Sequence, residues 1–166
     1  MTSSAKRVYT GTKDGVGNGE AAGLTVLIKE LIRRSEGSLW NNGSFGVRNM
    51  RGKESLSVHA TGRAVDLSYR KMPTKGIVNG RKKALVAIDW LILNADALGL
   101  EMVIDYQVAP FGRAWRCDRM AWLIYDKETV HGTPTGDWFH VEVSPLIGRS
   151  AEKMRAAIQH LNGETV

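Results

Sequence analysis

Two stretches of the chain bring together residue types that can do chemistry. One is Ser57-Val58-His59-Ala60-Thr61-Gly62-Arg63-Ala64-Val65-Asp66, the other Asp137-Trp138-Phe139-His140-Val141-Glu142. Each holds a histidine and a carboxylate beside strand-like apolar residues able to hold them rigidly. Two neutral imidazoles and one carboxylate make three protein ligands for Zn²⁺ and leave the fourth position for water, the layout of a catalytic site. A further carboxylate can then act as general base for that water. Alternation along 138–143 puts Trp138, His140 and Glu142 on one face and Phe139, Val141 and Val143 on the other. Asp66 lies inside a short strand, a rigid place for a ligand. Asp137 precedes its strand and can lean over a metal held by His140. The residues point to His59, Asp66 and His140 as ligands and Asp137 as base. Glu142 shares the His140 face, where it could be a hydrogen-bond partner fixing an imidazole. Spacing alone leaves open two histidines with unrelated structural jobs.

The elements that would position these groups are partly legible. Leu24, Leu27, Ile28, Leu31 and Ile32 recur at helical spacing, with Glu30 and Arg34 set to pair on the far side and Gly37 to close the helix. Residues 38–57 are rich in Asn, Gly and Ser and read as loop, with a short extended piece at 45–48. A strand is expected at 64–69. A second helix over 82–98, apolar almost all round, should be buried on most sides and end at Gly99. Strands are expected at 101–106, 121–125 and 138–143. Ser150 can cap a last helix carrying Met154, Ile158 and Leu161, closed by Gly163. Residues 1–19 are small, polar and Gly-rich, with only Val8, Tyr9 and Val16 to bury. They read as an extended, partly mobile lead-in to a single catalytic domain over 20–166. Strands parted by long irregular loops favour an α+β fold, a small and mainly antiparallel sheet flanked by helices.

The pattern Ser-x-His-x-x-Gly-x-Ala-x-Asp, followed late by (Asp/Glu)-x-x-His, resembles the signature of the zinc peptidases of peptidoglycan. These are the D-Ala-D-Ala carboxypeptidases and dipeptidases and the L-alanyl-D-glutamate endopeptidases of phage endolysins. Ser57, His59, Gly62, Ala64 and Asp66, then Asp137 and His140, match it. The resemblance spans roughly 48–143. It implies the zinc peptidase fold, with His59, Asp66 and His140 holding Zn²⁺ and Asp137 as base. An Asp there is closer to the phage endopeptidases, since many carboxypeptidases and dipeptidases carry Glu. The family tends to place an arginine upstream of the first motif, against the scissile carbonyl or a substrate carboxylate. Arg48 and Arg51 are the candidates, with Arg48 favoured. Ser57 and Trp138 are assigned to substrate binding. Where many relatives read Pro-Trp-His, this chain has Trp138-Phe139-His140, and 106–120 has no counterpart in the pattern.

Composition narrows the rest. The 166 residues are 43% hydrophobic, enough for one domain with a real core. Cys117 is the single cysteine, which excludes an internal disulfide framework and a cysteine-rich zinc knuckle. Its expected state is a plain, partly buried thiol. The 23 Lys and Arg outweigh 17 acids, a formal charge of +6 that suits an anionic partner such as wall polymer. The basic residues are dispersed, so nucleic acid is not expected. Asp89, Asn94 and Asp96 break the richest apolar stretch, 84–100, so no membrane span is expected. The start lacks the apolar segment of a secretory signal. That fits a protein made in the host cytoplasm and acting on the cell wall. His131 is expected in an exposed loop, His160 on a helix surface and Trp115 in the core. Gly15-Val16-Gly17-Asn18-Gly19 lacks the context of a phosphate loop. The expectation is a monomeric zinc peptidase of peptidoglycan. A bacterial D,D-carboxypeptidase or dipeptidase and a non-catalytic, metal-stabilised wall-binding module are the alternatives.

Overall fold

Alternating side chains on two neighbouring central strands give the sheet an apolar side and a polar one. A computed structural model describes residues 5–50, 52–72, 79–128 and 136–164. The elements run α1 (Ala22–Arg34), β1 (Trp40–Gly43), a 3-10 turn (Val58–Thr61), β2 (Ala64–Ser68), α2 (Gly80–Leu93), β3 (Leu100–Asp105), β4 (Arg113–Arg116), β5 (Ala121–Ile124), β6 (Trp138–Val143), α3 (Pro145–Gly148) and α4 (Ala151–Leu161). The six strands form one sheet in the order β1-β2-β6-β3-β4-β5. Every neighbouring pair is antiparallel. With four helices among the described residues, the fold is α+β. No described helix is long and apolar enough to cross a membrane.

On one face Val65, Leu67, Val103, Trp115, Phe139, Val141 and Val143 join α1, α2 and α4 in the buried core. The stripe Leu24, Leu27, Ile28 and Leu31 of α1 faces this core as its periodicity predicts. Cys117 and Trp115 lie in the same core, and His160 is exposed on α4. On the other face, register aligns Gly43, Asp66, His140, Ile104, Ala114 and Leu123 in one row across the whole sheet.

Several expectations are corrected. The extended piece sits at Trp40–Gly43, paired with β2, instead of at 45–48. A strand not expected, β4, bridges β3 and β5 within 106–120. The second helix stops at Leu93, where the Asn94 side chain donates to the Trp90 carbonyl at 2.7 Å and competes with another helical turn. Nor is α2 buried on most sides: Ala84, Ala87, Ile88 and Leu91 face the core, while Val86 and Leu93 (78% exposed) face solvent.

The segment before α1 is fastened by polar contacts. Its apolar Val8 and Val16 are 81% and 55% exposed. Arg7 donates to Asp96 at 2.9 Å and Thr10 to Glu101 at 2.5 Å. Arg63, fully buried, donates through Nε and Nη2 to both Asp14 carboxylate oxygens at 2.7 Å and through Nη2 to the Gly11 carbonyl at 2.6 Å. A buried guanidinium is tolerable only when its donors are met; this segment meets Nε and Nη2, and the Val143 carbonyl of β6 accepts from Nη1. Gly17 N–H donates to the Ala60 carbonyl at 2.8 Å and Ala21 N–H to that of Gly62 at 2.9 Å. Residues 5–21 therefore strap the sheet and the 3-10 turn together.

Candidate metal centre

His59 is presented by the 3-10 turn. The Ser57 hydroxyl accepts from the His59 N–H at 3.4 Å, capping the turn, and Gly62 ends it with φ 77°. Only glycine serves there: the conformation is left-handed, and any β-carbon would collide with the Gly19 carbonyl oxygen. This gives a physical reason for the glycine of the first motif. Ser57, expected to bind substrate, is buried and occupied with shaping the His59 turn.

Asp66 and His140 are cross-strand partners on β2 and β6. His140 Nδ1 lies 2.9 Å from Asp66 Oδ1, and His59 Nε2 lies 3.5 Å from Asp66 Oδ2. The two imidazoles meet edge to face with centroids 5.0 Å apart. One ligand atom from each of His59, Asp66 and His140 lies within 4.8 Å of the others, so the three form a group that could hold a metal ion. Both histidines are buried, while the Asp66 carboxylate keeps 19% exposure, which leaves the group open on one side.

The far nitrogen of His140, Nε2, lies 2.9 Å from Glu142 Oε1, as the shared face of β6 predicts. The other Glu142 oxygen accepts from the Tyr9 hydroxyl at 2.7 Å, and the Arg116 guanidinium lies over the Tyr9 ring, 4.7 Å from its centroid. These charges shift the proton equilibria of the metal-free site. Burial lowers the His140 pKa, but hydrogen bonds and charge from Asp66 and Glu142 outweigh it and raise it to about 10. Burial likewise raises the Asp66 carboxyl, yet His140 and His59 hold it well below the carboxylate range. Burial and the Glu142 charge push the Tyr9 phenol far up, which keeps its proton in place as a donor. With a metal on Nδ1, the remaining proton of His140 belongs on Nε2, facing Glu142.

Asp137 is placed differently from the triad. Its carboxylate is half-buried and receives Arg70 Nε at 2.9 Å and Nη2 at 3.2 Å. Its main-chain carbonyl accepts from Tyr69 N–H at 2.9 Å, which fixes the start of β6 against the end of β2. Trp138 shares the His140 face and is tilted against Tyr106, centroids 5.1 Å apart. Tyr106 was not among the expected site residues, although it shares parity with Ile104, the β3 partner of His140. Burial raises its phenol, with the charges of Asp66 and Glu142 adding and that of Arg48 opposing. Arg48 is exposed, and its carbonyl accepts from Ser57 N–H at 2.9 Å. Arg51 and His131 fall outside the described residues.

Tyr9, Arg63, Arg70 and Tyr106 are the residues that sequence reasoning missed around the site. Arg63 lay inside the first motif and Tyr106 in a strand of known parity. Nothing in the pattern marked Tyr9 or Arg70. In comparisons with known proteins, no family model, no curated protein and no solved structure matches this chain.

Proposed function

We propose that the protein is a zinc-dependent peptidase that hydrolyses an amide bond in peptidoglycan stem peptides or cross-bridges, as the peptidase part of a phage endolysin does. The observation that carries this reading is the convergence of His59, Asp66 and His140 from two separated motifs into one buried group, open on one side. Two imidazoles and a carboxylate suit zinc and leave a position free. When bound, the ion supplies Lewis acidity, polarising a carbonyl and making a water easier to deprotonate near neutral pH. Glu142 holds the Nε2 proton of His140 and so keeps Nδ1 turned to the ligand position. Asp137 takes the proton of the attacking water and returns it to the leaving amine, with Arg70 holding the carboxylate in place. Arg48 donates to the oxygen of the scissile carbonyl as negative charge gathers there, and Trp138 with Tyr106 walls the cleft.

Digestion of purified peptidoglycan, with and without a zinc chelator, tests the reading through mass spectrometry of the released fragments. The expected result is new amine termini at one bond, abolished by chelation and restored by Zn²⁺. Release of single terminal residues would mark a carboxypeptidase or dipeptidase instead. Asp137→Asn should keep its zinc and lose about 100-fold or more in turnover. Full turnover in that variant would remove Asp137 as the base. A second reading, a metal-stabilised wall-binding module, draws on the Arg70–Asp137 pair, which occupies the carboxylate that catalysis needs. Wall binding without any new termini would favour it.

A further inference from the structure

The residues nearest the metal group come from β2, β6 and the 3-10 turn, yet one contact on it comes from far outside the two motifs. Tyr9 reaches Glu142 across 133 positions of sequence, donating at 2.7 Å to the carboxylate whose other oxygen faces His140 Nε2 at 2.9 Å. The phenol is held in turn. Arg116 covers its ring and is itself fixed by Asp118 at 2.8 and 2.6 Å. On either side of Tyr9 the strap is anchored by Arg7 on Asp96 and Thr10 on Glu101. Farther along, it hydrogen-bonds to the turn that carries His59.

We propose that Tyr9 is a positioning residue of the metal centre: by engaging one oxygen of Glu142 it aims the other at His140 Nε2, which leaves Nδ1 free for the ion. A carboxylate has two equivalent oxygens and a free χ3, so one hydrogen bond to histidine leaves its plane loosely set. A second donor on the other oxygen removes that freedom. Partners beyond the ligands orient imidazoles in this way, and their loss commonly weakens metal binding by 10–100-fold. The inference rests on the reading of His59, Asp66 and His140 as metal ligands. It adds that the N-terminal strap is part of the site, which the motif span of 48–143 leaves out.

The test is Zn²⁺ affinity, measured by competition with a chromophoric chelator, on the full chain. Tyr9→Phe keeps the ring under Arg116 and removes only the hydroxyl. It should weaken Zn²⁺ about 10-fold while the melting temperature of the metal-free protein moves little. In the Co²⁺-loaded protein it should also shift the visible absorption bands, a signature that a merely structural loss would not move. In a Glu142→Ala background the same substitution should cost nothing more, because the acceptor it acts through is gone. Arg116→Gln, which frees the ring and leaves the hydroxyl, should weaken Zn²⁺ in the same direction by less. Unchanged Zn²⁺ affinity in Tyr9→Phe overturns the proposal, as does an undiminished loss in the Glu142→Ala background. A wild-type protein that binds no Zn²⁺ overturns the reading of the metal group itself, and is recognised without any variant.

Discussion

Along β6, Phe139, Val141 and Val143 press against the helices, while Trp138, His140 and Glu142, one residue out of step, look the other way. The helix-side residues are held by packing with many neighbours, none of which is individually required in a fixed orientation. The other face is held by a few directed contacts, among them 2.9 Å from Asp66 to His140, 2.9 Å from His140 to Glu142 and 2.7 Å from Glu142 to Tyr9. One strand therefore carries a layer that supplies stability and a layer that supplies geometry. The difference teaches that the two should respond to different perturbations. Packing should be insensitive to pH and metal, and the polar layer sensitive to both.

The largest effect should come from the packed side. Phe139→Ala leaves a cavity against the helices and should cost about 3–5 kcal/mol in denaturant unfolding. The fraction that remains folded should still bind zinc. Parallel loss of zinc from folded protein would break the division of labour. His59→Ala should instead abolish zinc binding and the stabilisation that goes with it, about 2.7 kcal/mol when free zinc is a hundred times its Kd. Its metal-free unfolding curve should move far less, and equal losses with and without zinc would show that the polar layer carries stability of its own. A third effect concerns Asp14 within the strap. Burial raises its carboxyl, but the hydrogen bonds and charge of Arg63 hold it below the ordinary value of 3.8. A depressed carboxyl stabilises the fold above 3.8 and loses that contribution as pH falls through the lowered value. Asp14→Asn should melt lower than the wild type at pH 7, with the gap narrowing below about pH 3.8. A gap independent of pH would remove the charge pair as its cause. Leu93→Gln, on the exposed side of α2, should change stability by less than about 0.5 kcal/mol.

What could be read beforehand follows the same division. The stripe of α1 and the strand β6 were legible because apolar periodicity reports burial on one side. The three grouped side chains, His59, Asp66 and His140, were legible because the residue types that can hold a metal are restricted by chemistry. β1 escaped because Trp-Asn-Asn-Gly has no alternation and only Trp40 among strand-forming residues; it is an edge strand ordered by main-chain pairing with β2. β4 escaped because four residues with arginines at both ends carry too little pattern to register. α2 was overextended because Ala95 and Leu98 are buried like helix residues while the chain between them turns. The strap escaped most fully. Its anchors are polar contacts with partners about forty or more positions away, and no local periodicity encodes those.

The position of β6 in the sheet order has a consequence for when the site comes into being. β6 follows the other five strands in the chain, yet it lies between β2 and β3. During synthesis β2 emerges early and waits without its neighbour, and His59 and Asp66 wait with it for a histidine 74 positions beyond Asp66. No nascent chain shorter than this can close the metal group, because its third member has not yet left the ribosome. Such a long-range pairing is also slow to form, so insertion of β6 is set to be a late step in folding. The His59, Asp66 and His140 group therefore forms only in a chain that has reached β6, and by then every strand of the sheet has been made.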